Sequence, residues 1–117
     1  MAAYQAQNKK VSSCKCGPDY IDPMFHKEVL GVDSKNLDLF FSSEDELRKE
    51  YAKHAADAEL VITEGVMGYY DGLRLDSVTA SSYEVARKLD IHGELILPYK
   101  RTELSICAVV SGIGSFQ

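Results

Sequence analysis

The hydrophobic and polar positions of the chain alternate between short β-branched runs and longer stretches with helical spacing. Val11 to Cys16 is a short run that contains β-branched Val11 and several small residues, and Gly17-Pro18 ends it. Leu60 to Thr63 is an apolar run that ends at Glu64-Gly65. Both runs predict strands, and the second predicts a buried strand that opens into a loop. Met1 to Lys10 is rich in helix formers and predicts the last turns of a helix.

One segment carries the signature of a capped amphipathic helix. Ser43 precedes Glu46 by three positions, which is the spacing of a capping box. An apolar stripe then recurs every four residues, at Leu47, Tyr51 and Ala55. Together these features predict a helix from about Glu44 to Ala56, and its charged residues predict a solvated outer face.

A second capping pattern, Ser81 with Glu84, predicts another helix. Its buried stripe comprises Val85, Ala86 and Leu89. Glu94 to Leu97 is the candidate for a following strand, Thr102 to Ile113 is an apolar run typical of a packed helix, and Asp19 to Asp38 is predicted to be mostly loop. Strands that alternate with helices of this length predict an α/β fold with three layers, in which helices flank a mainly parallel sheet.

Composition narrows the classes of function. The 117 residues are 45% hydrophobic and 26% charged, as expected for one small domain, and the net charge is -5. This charge argues against nucleic acid and anionic membranes as partners, whereas a nucleotide bound through a metal ion remains compatible. No stretch approaches the ~20 apolar residues of a membrane span, and the start lacks a secretory signal, so we expect a cytoplasmic protein.

The three cysteines, Cys14, Cys16 and Cys107, are an odd number and do not predict a disulfide framework. A structural zinc site needs four ligands, and a lone Cys-x-Cys supplies too few. Cys14 and Cys16 would lie on one face of a strand. We therefore expect the cysteines to be reduced thiols packed as small hydrophobic groups.

Acidic residues follow both predicted strands. Asp19 and Asp22 lie after the first strand in a predicted loop that Pro18 and Pro23 would make rigid, and Glu64 ends the second strand. In open parallel sheets ligands collect beyond the carboxyl ends of the strands, where hard oxygen ligands suit magnesium. Gly65 would allow a phosphate to approach the backbone closely. The pattern therefore predicts a site for magnesium and a nucleotide.

Each of these residues also has a purely structural interpretation. Asp19 would cap a turn after Gly-Pro, and Glu64 would be a solvated carboxylate at a strand end. His26 would be a base or substrate contact, or else a packed and hydrogen-bonded histidine, and the packed interpretation is favoured. Tyr69 and Tyr70 would border a flat ligand or cover the sheet edge, and the sequence does not decide between these alternatives.

Four motifs in combination resemble one enzyme family. They are GPDYIDPMFH from residue 17, NLD from residue 36, EGVMG from residue 64 and YDG from residue 70. This set resembles the cobyrinate a,c-diamide synthases of cobalamin biosynthesis, and the resemblance extends from about Val11 to Leu89. A near relative that amidates nickel-sirohydrochlorin shares much of the pattern, so that substrate stays open as an alternative.

The resemblance implies a domain of the P-loop NTPase superfamily, related to dethiobiotin synthetase. It implies that a carboxylate of the tetrapyrrole is phosphorylated by magnesium-ATP and that ammonia derived from glutamine then displaces the phosphate. It also implies roles for individual residues. The implied catalytic residues are Asp19, Asp22 and Glu64, of which Asp19 and Glu64 would also bind magnesium. Lys15 and Gly65 would lie at the phosphates, and Tyr20 and Ile21 at the substrate.

The sequence contains no GxxxxGK[S/T] phosphate loop and no region resembling the family's glutaminase domain. We therefore expect residues 1–117 to form one partial ATP-binding domain that lacks the phosphate-loop strand and is inactive alone. The expected partners are cobyrinate or a related tetrapyrrole, ATP, and ammonia from a glutaminase domain outside this sequence, with a homodimer also allowed. The alternatives are a non-catalytic tetrapyrrole-binding module and a chain that does not fold stably.

Overall fold

A computed structural model describes residues 1–98, 100 and 103–116. Its sheet is parallel and has the order β2-β1-β3, formed by β1 (Val11–Cys16), β2 (Ser34–Leu37) and β3 (Leu60–Glu64). The helices of the described residues are α1 (Ala2–Gln5), α2 (Ile21–Leu30), α3 (Glu44–Ala55), α4 (Ser82–Leu89) and α5 (Ser105–Ser115). The predicted strand at Val11–Cys16 is confirmed at both ends.

The apolar core lies on one face of the sheet. Because side chains alternate along a strand, Cys14 and Cys16 of β1 point to this face, where they meet Leu37 of β2. Leu47 of α3 and Val85 of α4 close over them, and all five side chains are buried. Both thiols are free and buried, which confirms their predicted packing as small hydrophobic groups.

The opposite face of the sheet is polar and lies beneath α2. Ser13 and Lys15 of β1 point to this side, and Ser13 contacts His26 of α2. Since α2 covers one face and α3 and α4 cover the other, the three-layer α/β architecture is confirmed. The two faces of the same strand therefore differ in character, one building the core and the other a polar layer.

The two predicted capped helices are confirmed. Ser43 and Glu46 form the full capping box, in which the Glu46 amide donates to Ser43 Oγ at 3.4 Å and the Ser43 amide donates to Glu46 Oε2 at 2.8 Å. Ser81 Oγ accepts from the Glu84 amide at 3.1 Å, while the Glu84 carboxylate accepts from the Ala80 amide at 2.6 Å. Serine caps of this kind typically contribute about 1 kcal/mol.

The prediction that Asp19 to Asp38 is mostly loop was wrong, because this segment contains α2 and β2. Pro23 is the third residue of α2, where a backbone N–H has no intrahelical acceptor and proline is tolerated. Asp22 lies in the positively polarised first turn, and Gly31 ends the helix in the left-handed conformation at φ 61°. Pro23 thus lies in the first turn of a helix, whereas Pro18 lies in the turn that precedes it.

The structure also corrects three expectations about packing. Glu94 to Leu97 was predicted to be a strand and is not one. The apolar run predicted from Thr102 forms a helix that begins at Ser105, and Thr102 lies outside the described residues. That helix, α5, buries none of its residues. β3 is half-buried rather than buried, and within the described part of the chain it is an edge strand that pairs with β1. Of the helical turns predicted within Met1 to Lys10, the structure has the single turn α1, and the residues after Gln5 are not helical. Among the described residues no helix has the length and apolar character needed to cross a membrane.

Candidate functional site

A row of three polar residues crosses the sheet near its carboxyl edge. Lys15 of β1 lies in register with Asn36 of β2 on one side and with Glu64 of β3 on the other. Paired residues in neighbouring parallel strands point to the same face, so all three side chains project toward the polar layer. Lys15 is 4% exposed although it carries a charge.

Three carboxylates converge on the Lys15 ammonium. Its Nζ lies 2.5 Å from Asp22 Oδ2, 3.5 Å from Glu64 Oε1 and 3.8 Å from Asp19 Oδ2. The acids come from two separate segments, the turn and first helical turn after β1 and the end of β3. The structure therefore brings together the acidic side chains that the sequence placed in one site, and Lys15 lies at their centre.

The charges of this cluster stabilise one another. Burial acts to lower the pKa of Lys15, but the hydrogen bond to Asp22 and the negative charge of Glu64 outweigh it, so the pKa of Lys15 is raised. The hydrogen bond from Lys15 holds the pKa of Asp22 below its ordinary value. Both pKa shifts favour the charged forms, so the ion pair between Lys15 and Asp22 is stabilised.

Asp19 serves the turn as well as the cluster. Its Oδ1 accepts from the Ile21 amide at 2.9 Å, while its Oδ2 faces Lys15. The turn interpretation is thus confirmed, and the carboxylate still has an oxygen directed at the cluster. Tyr20 and Ile21, the expected substrate contacts, are largely exposed. Tyr20 borders an open groove of about 700 Å³ beside β2, and Asp19 and Asn36 line the same groove.

Asn36 is a candidate that analysis of the sequence missed. Its Oδ1 is buried and has no hydrogen-bond partner among the described residues. A buried amide oxygen without a partner costs free energy, and this makes Asn36 a candidate for contact with a donor group. Asn36 belongs to the NLD motif, but the sequence did not predict β2. Its pairing with Lys15 across the sheet therefore could not be predicted.

Gly65 makes a close contact with the protein itself. A Cβ at this position would lie 2.6 Å from Ser82 Oγ, at the start of α4. The close approach that the sequence suggested is therefore made by α4, and contact of Gly65 with a phosphate stays a prediction.

Tyr69 and Tyr70 pack within an aromatic cluster. Their rings lie 5.0 Å apart, Tyr83 lies 4.9 Å from Tyr70, and Phe116 lies 4.9 Å from Tyr70 on the other side. Tyr70 Oη also donates to the carbonyl of Ile113 at 2.7 Å. These contacts attach α5 to the rest of the chain, which gives the tyrosines a structural role.

A serine–histidine pair at the opposite edge of the sheet is not a nucleophilic dyad. Ser12 Oγ lies 2.7 Å from His54 Nε2, but the same nitrogen lies 2.8 Å from the Ser13 carbonyl oxygen. Because a carbonyl oxygen accepts and never donates, Nε2 must carry the proton. It therefore cannot act as the base that removes a proton from Ser12.

The residues that could hold a metal are few. Within the described ranges no group of three or more His, Cys, Asp and Glu side chains is arranged to bind an ion. Magnesium, however, commonly uses one or two carboxylates together with water and substrate phosphates. Asp19 and Glu64 each direct an oxygen at one nitrogen, and the cluster carries excess negative charge, so the donor chemistry fits magnesium.

Sequence comparison identifies relatives that share a printed name. A cobyrinate a,c-diamide synthase of Synechococcus sp. is 41% identical over 116 residues, which is 99% of this chain and 25% of the relative. Those of Streptococcus sanguinis and Methanocaldococcus jannaschii are 42% and 36% identical over 92% and 96% of this chain. The chain spans about a quarter of the length of each relative. No protein-family model and no solved structure matched it.

Proposed function

The chain belongs to the cobyrinate a,c-diamide synthase family, and from this premise we propose that it carries part of an ATP-dependent amidation site. The observation that supports the proposal is the convergence of Asp19, Asp22 and Glu64 on buried Lys15. In this proposal the substrates are the a and c side-chain carboxylates of cobyrinate, ATP and ammonia from glutamine. The names of the relatives favour cobyrinate over the nickel-containing alternative.

The proposed reaction has two steps, phosphorylation of a carboxylate and displacement of the phosphate by ammonia. An oxygen of the substrate carboxylate forms a bond to the γ-phosphorus of ATP, and the bond from that phosphorus to the β–γ bridging oxygen breaks as ADP leaves. Ammonia then attacks the acyl carbon, phosphate departs with the C–O bond electrons, and the nitrogen loses a proton to give the amide. Lys15 would neutralise charge on the transferred phosphoryl group.

The carboxylates have distinct tasks in this scheme. When bound, magnesium supplies further neutralisation of phosphate charge, and Asp19 and Glu64 would hold it. Asp22 orients Lys15 through their hydrogen bond, and Tyr20 with Ile21 would contact the tetrapyrrole from the exposed turn. The groove beside Tyr20 offers room for part of a flat substrate.

The proposal can be tested in a chimeric protein, because this chain spans about a quarter of the length of its relatives. Residues 1–117 would replace the matching segment of the Synechococcus relative, and cobyrinate amidation with glutamine and magnesium-ATP would be measured. We expect the chimera to turn over and Glu64→Gln or Asp22→Asn to lower kcat at least about tenfold. Glu28→Gln, which alters an exposed acid on α2, is the matched control. An active chimera that tolerates Glu64→Gln as well as Glu28→Gln would refute the proposed site.

The chain alone is expected to bind without turning over substrate. Glutamine- or ammonia-dependent amidation by residues 1–117 at a rate comparable with the chimera would contradict this expectation. Calorimetric titration with magnesium-ATP and with the corrinoid separately measures which ligand the chain retains.

A further inference from the structure

His26 is buried in the polar layer although the residues around it on α2 are exposed. It is 6% exposed, whereas its neighbour Phe25 is 55% exposed. The helix thus buries an imidazole and leaves a phenyl ring in solvent, the reverse of the usual preference. Burial of a polar ring is unfavourable unless its nitrogens find partners, so those partners explain why the ring lies inside.

The partners of His26 form a directed chain. Ser13 Oγ lies 2.9 Å from Nδ1 and 3.1 Å from Ser34 Oγ, and Ser13 is completely buried. On the other side of the ring, Nε2 lies 3.6 Å from Glu64 Oε2. The ring therefore bridges two buried or half-buried hydroxyls and a carboxylate of the candidate site.

Only one neutral tautomer suits these partners. If Nδ1 carried the proton, the lone pair of Nε2 would face the Glu64 carboxylate, which is repulsive. If Nδ1 instead accepts the Ser13 hydroxyl proton, Ser13 can accept from Ser34, and the Nε2–H points toward Glu64. The serine hydroxyls thus select the tautomer that presents a donor to the carboxylate.

The carboxylate of Glu64 is held from two sides. Its Oε1 faces Lys15 at 3.5 Å and its Oε2 faces His26 at 3.6 Å, although the side chain is 47% exposed. With Lys15 alone the carboxylate would remain free to rotate about its last torsion. Each oxygen thus faces a nitrogen group of a different element, Lys15 on β1 and His26 on α2, which favours one orientation of the carboxylate.

We propose that His26 is a positioning residue that orients Glu64 for magnesium, with Ser13 and Ser34 setting its tautomer. The role of Glu64 rests on the proposed function. Residues that orient metal ligands typically change metal affinity by 10–100-fold when replaced. His26 acts through Glu64 and does not itself touch the reacting groups.

Two substitutions of His26 separate orientation from packing. The amide nitrogen of Gln reaches about where Nε2 lies, so His26→Gln keeps a donor for Glu64, whereas the shorter His26→Asn keeps a partner for Ser13 and loses Glu64. The probe is Mn²⁺ added to the 117-residue chain, detected by paramagnetic broadening of the Gly65 amide signal. We expect His26→Asn to weaken Mn²⁺ binding about tenfold and His26→Gln to stay within about threefold of wild type. His92→Asn, at an exposed histidine, is the control.

A second measurement is independent of metal. Nitrogen-15 NMR of the imidazole should report the Nε2–H tautomer, and Glu64→Gln should shift the His26 Nε2 resonance. A Nδ1–H tautomer, or equal Mn²⁺ affinity for His26→Asn and wild type, would overturn the proposal. If wild type fails to bind Mn²⁺ while the tautomer and the Glu64 response are as expected, the proposed function fails and the orientation of Glu64 by His26 stands. Should His26→Asn fail to fold, Ser34→Ala leaves the ring in place and should shift the Nδ1 resonance, and an unchanged resonance would count against the chain of donors.

Discussion

Replacement of Lys15 by methionine should destabilise the fold, because it removes the ammonium and keeps most of the apolar stem. Burial alone would favour loss of this charge, but the raised pKa of Lys15 means that its carboxylate partners more than offset the cost of burial. Loss of one partner from a fully buried ion pair costs about 3–5 kcal/mol. The side chains of Asp19, Asp22 and Glu64 are 24%, 39% and 47% exposed, so water screens them. We therefore expect a loss of about 1–3 kcal/mol in the free energy of unfolding for Lys15→Met.

The assay is urea unfolding at pH 7, with Lys35→Met as the matched control. Lys35 lies on the adjacent strand, is 57% exposed and faces Glu50 at 4.0 Å. Its replacement should change the free energy of unfolding by less than about 0.5 kcal/mol. If Lys15→Met costs no more than Lys35→Met, the convergence of carboxylates on Lys15 does not contribute to folding and the electrostatic reasoning is wrong.

The difference in the free energy of unfolding between wild type and Lys15→Met should depend on pH in a defined direction. The pKa of Asp22 is lowered from 3.8 by Lys15, so its contribution is complete above that pH and is lost as the pH falls through the lowered value. The pKa of Lys15 is raised from 10.5, so its contribution is complete below that pH and is lost as the pH rises through the raised value. The difference between wild type and Lys15→Met should therefore be constant between these limits and shrink beyond them. A difference that grows in acid would contradict the assignment.

Two further predictions concern backbone contact and thiol reactivity. Gly72→Ala places a Cβ against the carbonyl oxygen of Thr79 and should lower the free energy of unfolding, measured by thermal unfolding, by about 1–3 kcal/mol. The control Gly112→Ala lies in open space on α5 and should be neutral or stabilise by up to about 1 kcal/mol. Equal effects of the two substitutions would refute the clash. Burial raises the pKa of Cys14 to about 12, so this thiol should resist alkylation at pH 8 in the folded chain while exposed Cys107 reacts, and mass spectrometry of the labelled peptides distinguishes them. Rapid labelling of Cys14 without unfolding would contradict its burial.

Helices and strands with a clear local signal in the sequence could be predicted from that signal alone. The strand Val11–Cys16 was predicted from a short run that Gly17-Pro18 ends, and the helix after Ser43 was predicted from a capping box; both signals lie in neighbouring residues. The helix α2 was missed because Pro18 and Pro23 were interpreted as stiffening a loop, although proline is compatible with a first helical turn. Gly31 is a typical helix-ending residue, but it could be interpreted as one only after the helix before it had been recognised.

The acids of the candidate site could be predicted from the sequence pattern, whereas Lys15 was named only through the family resemblance and without its place between them. Asp19, Asp22 and Glu64 each follow a strand, and strand ends meet at one edge of a parallel sheet. The position of Lys15 between them depends on the register of three strands, and the contact of His26 with Glu64 depends on how α2 lies over the sheet. Neither is a property of local sequence, because both arise from packing between segments about forty residues apart.

The alternation within β1 ties the core to the site. Ser13 and Lys15 face α2, and Cys14 and Cys16 face the apolar layer, so a slip of β1 by one residue against its neighbours would move Lys15 into the core and a thiol into the polar cluster. An ammonium without its carboxylates in an apolar layer is strongly unfavourable, which makes the slipped pairing costly. The same charge that is proposed to face a phosphate therefore also specifies the strand register. For this reason we expect substitutions of Lys15 to affect folding and ligand binding together, and substitutions of Glu64, at a half-exposed strand end, to affect binding more than folding.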